Sequence, residues 1–189
     1  MATTAGTRQW EIDPSHSDVQ FTVRHMVVTK ARGRFTRWAG SIELDEGDLT
    51  RSKVEVRIEA DSIDTGHADR DAHLRSADFL DVAGHPRLEF RSTGIERVDD
   101  ERYRIHGDLT IRGVTRAVTL DTELGGIKAD PWGAQRAGFS ARTRIDRRDF
   151  GLTWNQALEA GGLLVGEKVD IELEIEAVRP LQKADTSAA

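Results

Sequence analysis

The residues best suited to chemistry lie in one segment, residues 61–86, which reads DSIDTGHADRDAHLRSADFLDVAGHP. It holds three of the six histidines of the chain, set among acids and arginines. His67, Asp69, Asp71 and His73 alternate within it, and imidazole and carboxylate groups are good ligands for zinc or iron. However, these two histidines are six positions apart, whereas a helical HExxH motif places them four apart. We therefore favour helix capping and surface ion pairs over a metal site.

Two arginines of this segment have both a structural and a binding interpretation. Arg70 and Arg75, together with Asp78 and Asp81, would form an ion-paired corner that fixes the segment to its surroundings, and we favour this role. Arg70 is also a candidate head-group residue, because a buried guanidinium binds a phosphate or carbonyl group in a bidentate manner.

No motif in the chain is typical of an enzyme. There is no GxSxG nucleophile elbow, no glycine-rich phosphate loop and no evident glycosidase pair of carboxylates. The absence of cysteine excludes disulfides, thiolate catalysis and cysteine-ligated metals. We therefore predict no catalytic residues, no metal and no cofactor. The alternative is a hydrolase or isomerase acting on an isoprenoid or other lipid, through His25 or the histidines from His67 to His85.

The elements around this segment alternate apolar and polar residues, as half-buried strands do. Val19, Phe21 and Val23 lie on one face of the first. Seven further alternating segments follow: 34–44, 54–59, 88–91, 103–112, 118–124, 139–146 and 169–176. A charged face on every strand is typical of antiparallel sheet, and eight long strands can close around a small ligand. The fold class is thus all-β, an extended eight-stranded antiparallel barrel, with a sandwich as the alternative.

Three irregular features complete this prediction. The apolar parity changes within segment 34–44, and we place a bulge or bend near Gly40. A short helical insert is expected near residues 67–82, capped by Asp64 or Thr65, and a shorter one near 155–162. Residues 1–180 would form a single domain, followed by a disordered tail at 181–189.

The overall composition limits the partners. The formal net charge is −6 and is spread along the chain, which argues against nucleic acid or an anionic membrane as the main partner. No stretch is long and apolar enough for a transmembrane segment, and no secretory signal is visible, so we expect a cytoplasmic protein. A homodimer is possible through an exposed apolar patch.

Several motifs resemble one known family. They are His16-Ser17 with FTVRHM from Phe21, GRFTRWAGSI from Gly33, RDAHLRSADFLDVAGHP from Arg70, GDLTIRGVTR from Gly107, DPWG from Asp130, and DRRDFGLTWN from Asp146. They occur in the order found in the YceI-like proteins, a polyisoprenoid-binding family with a lipocalin-like barrel. The resemblance covers roughly residues 10 to 178.

This resemblance implies binding, storage, sequestration or transport of an elongated amphiphilic lipid, such as a polyisoprenoid or isoprenoid quinone, rather than turnover. Combined with the inward apolar alternation, it gives a set of candidate ligand-binding residues. The wall residues would be Phe21, Val23, Phe35, Phe90, Phe139 and Phe150, with Leu74, Phe79 and Trp154 near the openings. Arg70 or His25 would contact the head group, although for His25 we favour a hydrogen-bonded core histidine.

Overall fold

The computed structural model describes residues 7–26, 29–159 and 162–179. Their strands are β1 Arg8–Ile12, β2 Asp18–His25, β3 Thr29–Phe35, β4 Trp38–Leu44, β5 Lys53–Glu59, β6 Ile63–Asp64, β7 Arg87–Arg97, β8 Arg102–Ile111, β9 Val114–Ala129, β10 Gln135–Asp146 and β11 Val165–Arg179. Within these residues there is one α-helix, α1, Ala68–Arg75, and there are 3-10 turns at Leu49–Arg51, Ala60–Ser62 and Arg147–Phe150. The predicted tail, 181–189, lies outside the described residues.

The strands close into a ring. The order β1-β4-β5-β7-β8-β9-β10-β11 returns to β1 through pairing of Glu11 with Val178, and every pair is antiparallel. Strands β2, β3 and β6 continue β1, β4 and β5 toward one end, since β2 pairs with the earlier part of β11 and β3 pairs with β2. The prediction of an eight-stranded antiparallel barrel is therefore confirmed.

One end of this barrel carries the insert. Because neighbouring strands are antiparallel, the connections after β2, β6, β8 and β10 lie at the same end, which we call the α1 end. There β6 pairs only with Arg34 and Phe35 of β3, and β7 begins only at Arg87. The insert, residues 65–86, lies beside this interruption of the sheet, with the Thr65 methyl group close to Gly33.

The parity change of segment 34–44 arises at a different place from the one predicted. Strand β3 ends at Phe35 and β4 begins at Trp38, while Gly40 pairs regularly with Val56. Thr36 donates a backbone hydrogen bond to the carbonyl of Ser62, which holds the bend. The two residues between the strands let Phe35 and Trp38 both face the interior.

The helical insert predicted near residues 67–82 is confirmed but is shorter than expected, whereas the one predicted near 155–162 is not helical in its described residues. Helix α1 ends at Arg75, so residues 76–82 are turns, and its N-cap, His67, makes no side-chain capping bond. Asp64 instead accepts from the amide of Gly66. Residues 155–159 and 162–163 contain no helix; Ala157 forms an antiparallel bridge with Leu163.

The buried residues form two clusters, one toward each end of the barrel. The cluster at the α1 end comprises Ala60, Ile63, Phe79, Leu80, Leu88, Ile111, Ile145, Phe150 and Leu152. The other comprises Trp10, Ile12, Ile42, Leu44, Ala137 and Ala177. No helix in the described part of the chain is long and apolar enough to cross a membrane.

Candidate functional site

The space between the two clusters is an elongated cavity of about 390 Å³. This volume falls within the range of small-molecule binding sites. Strand β11 alone lines it from Val165 to Ile175. At about 3.3 Å per residue and a strand tilt near 40°, that stretch corresponds to roughly 25 Å along the barrel axis. The cavity is thus long and narrow, and its shape suits an elongated ligand.

The predicted wall residues all face this cavity. Phe21, Val23, Phe35, Phe90 and Phe139 contribute to its lining from four different strands, β2, β3, β7 and β10. The rings of Phe21 and Phe35 pack 5.8 Å apart between centroids. Their contact with a ligand remains a prediction, but their inward orientation follows from the alternation of each strand.

The remaining apolar candidates gather at the α1 end. Phe79 and Phe150 are 5% and 1% exposed and belong to the core cluster as well as to the lining. Leu74 and Trp154 are half-buried, and the rings of Phe79 and Trp154 lie 5.2 Å apart. These four side chains close the α1 end with apolar surface.

His73 lines the cavity, whereas the sequence analysis considered it only as a metal ligand or as a catalytic histidine. Its ring packs edge-on against Trp154 at 4.6 Å and Phe79 at 5.0 Å, and its Nε2 lies 2.8 Å from Asp78. The helical period would have indicated this position, because residues three and four apart share a helix face. Arg70, His73 and Leu74 have that spacing, and all three line the cavity.

The arginines of the insert do not form the predicted corner with Asp78 and Asp81. Arg70 donates to the hydroxyl and the carbonyl oxygen of Thr65, at 2.7 and 2.8 Å. Arg75 donates to the carbonyls of Asp61 and Ile63, each at 2.7 Å. Both guanidinium groups thus bind backbone carbonyls instead of the predicted carboxylates. The spacing of side chains in the sequence does not reveal such partners.

Arg147 is a second lining residue that the sequence analysis missed. It is 5% exposed and donates to four backbone carbonyls: those of Leu152, Trp154, Val165 and Gly166. Burial lowers the pKa of its guanidinium from the usual value. Strand parity would have indicated it, because Phe139, Ala141, Thr143 and Ile145 all face inward and Arg147 continues their series.

The charged side chains that line the cavity in the described residues are all positive. Arg70 and Arg147 line it without a carboxylate ion-pair partner among the residues that the structure describes. No Asp or Glu side chain of that part of the chain contributes to the wall. His25 and His73 add two imidazoles at the same end. For His25 the favoured core role is not observed, since its half-buried ring has no hydrogen-bond partner among the described residues.

The alternating histidines and acids of the insert do not converge on a common point. Asp71 is buried and accepts from the amide and hydroxyl of Thr65, while His73 turns to Asp78. Within the described ranges, the group with metal-like spacing is Asp13, His16 and Glu176.

That group belongs to an ion-pair network. Arg136 contacts both Asp13 and Glu176, and it also binds Asp130 at 3.0 Å. Hydrogen bonds from Ser15 and His16 lower the pKa of the Asp13 carboxyl well below its usual range. These ion pairs link the segment that connects β1 and β2 to strands β10 and β11.

A closed eight-stranded antiparallel barrel around an apolar interior defines a lipocalin-like barrel, the class that encloses one small ligand. Residues 10–177 match the YceI-like domain, and the chain belongs to this family. A UPF0312 protein of Vibrio cholerae is 35% identical over 165 residues, covering 87% of this chain and 83% of that protein. A UPF0312 protein of Pectobacterium carotovorum is 37% identical over 175 residues, covering 93% and 88%.

Solved structures share the barrel. The YCEI protein of Campylobacter jejuni superposes with a TM-score of 0.73 at 28% identity, covering 84% of this chain and 90% of that one. BcnA of Burkholderia cenocepacia gives 0.76 at 21% identity, covering 87% and 98%. A domain of Saccharophagus degradans described as polyisoprenoid-binding gives 0.65 at 16% identity, covering 90% and 98%. The last two establish similarity of fold alone.

Proposed function

We propose that this protein binds one elongated lipid with an acidic head group, for sequestration, storage or transport. The tail would occupy the apolar cavity and the head group would lie at the α1 end. The observation that carries this proposal is the charge of the lining: two arginines, two histidines and no carboxylate among the described residues. The polyisoprenoid-binding description of the Saccharophagus degradans domain supports a prenyl tail.

The tail supplies most of the affinity in this proposal. Each buried CH₂ group contributes about 0.8 kcal/mol. A long prenyl chain therefore reaches micromolar or tighter affinity after the costs of association. The cavity wall offers apolar surface along its length and few polar groups that would need desolvation.

The head group selects among lipids. Arg70 uses Nε and one Nη on Thr65, and its second Nη group has no acceptor among the residues that the structure describes. A phosphate or carboxylate next to this guanidinium would form a charge-assisted hydrogen bond in a site of low polarity. A neutral alcohol with the same tail would lack that bond.

The test compares a polyprenyl phosphate with the polyprenol of equal length, on protein freed of lipid by organic extraction. We expect Arg70→Gln to weaken phosphate binding about 10- to 100-fold and alcohol binding much less, since a hydrogen bond to a charged group contributes about 1.5–3 kcal/mol. Arg91→Gln is the matched control, because Arg91 pairs with Glu55 on the outer face and does not line the cavity. Equal losses for both lipids in Arg70→Gln would overturn the head-group assignment.

Binding without turnover is part of the same proposal. Native mass spectrometry of protein from its own host, followed by lipid extraction, should give a stoichiometric long-chain species. Prolonged incubation with the added lipid should return it unchanged. Recovery of a hydrolysed or isomerised lipid would favour an enzyme instead.

A further inference from the structure

The outer face of β2 and β3 carries an unusual group of charges close to the α1 end. Arg24 and Lys30 are direct cross-strand partners, and Arg32 follows two positions later, opposite Thr22. All three side chains are exposed. Diagonal neighbours on one face of a sheet lie about 7–8 Å apart, so the three cations form one patch. We call Arg24, Lys30 and Arg32 the cationic patch.

The cationic patch is not neutralised by its neighbours. None of its three members has a carboxylate within ion-pair distance in the described part of the chain. Three acids of the flanking strands have other partners: Asp64 binds Arg34, Glu167 binds Arg148, and Asp170 binds Arg144. Two like charges directly opposite each other destabilise a strand pair, so the arrangement does not serve the stability of the sheet.

An apolar side chain lies next to these cations. Met26 follows β2 directly and is 47% exposed, and its amide donates to the carbonyl of Leu164. Leu163, which precedes Leu164 on the connection between β10 and β11, is 42% exposed. The patch therefore combines positive charge with exposed apolar groups at the barrel end that also holds Arg70 and Arg147.

We propose that this surface docks the protein on an anionic lipid bilayer. Cations attract the negative surface of such a membrane over about a Debye length, and apolar side chains at the tip enter its interfacial region. The overall charge of −6, which the sequence analysis took as evidence against both nucleic acid and an anionic membrane, still opposes an extended polyanion, because the rest of the surface would be repelled by it. For a membrane we revise that expectation, because the charge of the docking surface matters more than the total charge. A flat bilayer meets only the α1 end. The surface goes beyond the cavity function and does not depend on the cavity being occupied.

The experiment is co-sedimentation of the full chain with vesicles of phosphatidylcholine alone and of phosphatidylcholine mixed with phosphatidylglycerol. We expect binding only to the mixed vesicles, and a decrease as salt is raised. Arg24→Gln, Lys30→Gln and Arg32→Gln combined should reduce the partition coefficient at least tenfold, because each cation near an anionic surface contributes about fivefold. Met26→Asn should reduce the salt-resistant part of binding; Met26 has a φ of 53°, which Asn tolerates.

The matched control removes the same charge from other strands. Arg8, Arg57 and Lys128 are exposed on β1, β5 and β9, away from the α1 end, and have no carboxylate partner in the described ranges. Their combined change to Gln should leave vesicle binding within about twofold of the unmodified protein. A control loss as large as that of the patch variant would show a net-charge effect and overturn the proposal. So would absence of binding to mixed vesicles, or equally strong patch-dependent binding to soluble heparin.

Discussion

Gly33 shows how one residue without a side chain shapes the interior of the barrel. It is the direct cross-strand partner of Phe21, and a Cβ atom added there would lie 2.3 Å from the Phe21 ring and 2.9 Å from the Thr65 methyl group. The ring therefore lies over the glycine instead of extending fully into the cavity. Gly107 accommodates the Phe90 ring in the same way, with an added Cβ 2.4 Å from it.

This packing predicts a paired effect on stability and lipid uptake. Gly33→Ala should lower the free energy of unfolding by about 1–3 kcal/mol, because overpacking displaces the Phe21 ring. The displaced ring should also reduce the amount of lipid that co-purifies. Gly94→Ala is the control, since an added Cβ there meets no atom within 4 Å. Urea unfolding and lipid extraction measure both effects, and identical results for the two variants would contradict the packing described.

At the residue scale, strand parity was the most informative signal in the sequence. It predicted that Phe21, Phe90 and Phe139 face the barrel interior, and all three line the cavity. Extended two residues beyond Ile145, the same parity would also have identified Arg147. It could not identify the partners of Arg70 and Arg75, since those are backbone carbonyls fixed only by the tertiary fold. Which of these residues contact a ligand remains a prediction for the experiments above.

The insert between β6 and β7 is held to the barrel by a few specific hydrogen bonds. Arg75 donates to the carbonyls of Asp61 and Ile63, and the carbonyl of Pro86 at the end of the insert accepts from the amide of Ala60. Phe79 and Leu80 then bury its later part in the core. An element fixed by a few polar contacts at one side and by apolar packing at the other is suited to local opening without unfolding of the sheet.

Hydrogen exchange would test whether the insert opens as a unit. Arg75→Leu leaves two carbonyls without their donor, so we expect faster exchange across residues 65–85. Amides of β8 and β9 should exchange as before. Arg91→Leu, which removes only an exposed pair with Glu55, serves as the control. Equal acceleration in β8 and β9 would mean that the insert is not an independent unit.

The junction of β10 and β11 predicts a dependence of stability on pH. Hydrogen bonds from Arg148, together with one from Lys168, lower the pKa of the Asp146 carboxyl well below its usual range. Because the pKa of this carboxyl is lower in the folded state, its ionised form stabilises the fold at pH values above the unfolded-state pKa of about 3.9. This contribution is lost as the pH falls from there toward the folded-state pKa. Asp146→Asn should therefore destabilise the protein at pH 7, with a difference that shrinks below about pH 4.

Chemical denaturation of both proteins from neutral to acid pH gives the measurement. Asp100→Asn is a suitable control, because Asp100 is an exposed acid in the turn between β7 and β8. A difference between the Asp146 variant and the unmodified protein that stays constant down to acid pH would contradict the role of its ionised carboxylate.

At the element scale, the sequence predicted the strands better than the connections. Alternation of apolar residues identified β2, β4, β5 and β7 to β11, because each of them has a cavity face and a solvent face. It missed β1 and all but the last two residues of β3. The connection at 155–162 was predicted as helix but forms a bridge, since the Asn155 side chain binds both the amide and the carbonyl of Val165. That contact spans ten positions, and local propensity carries no information about it.

The whole molecule is a closed sheet with two packed ends and a cavity between them. An empty apolar cavity forfeits contacts that a guest restores, so a bound lipid adds directly to the stability of the folded state. At a free lipid concentration of about 100 times Kd, this addition is about 2.7 kcal/mol.

Thermal unfolding with a series of lipids of increasing tail length measures this coupling. The rise in Tm should grow with each added isoprene unit and stop growing once the tail exceeds the cavity length of roughly 25 Å. Lipid-stripped protein should have the lowest Tm of the series. A Tm that is independent of tail length would contradict the placement of the tail in the cavity.

Strand β11 pairs with β10, β2 and β1, and so it joins the two halves of the chain. Its contact between Glu11 and Val178 links residues more than one hundred and sixty positions apart. During synthesis, β1 and β2 therefore lack their common partner until β11, residues 165–179, has left the ribosome. Non-local pairing of this kind slows folding and leaves strand edges exposed meanwhile. The order of synthesis thus makes the nascent, unclosed sheet the form of this protein that most needs chaperones.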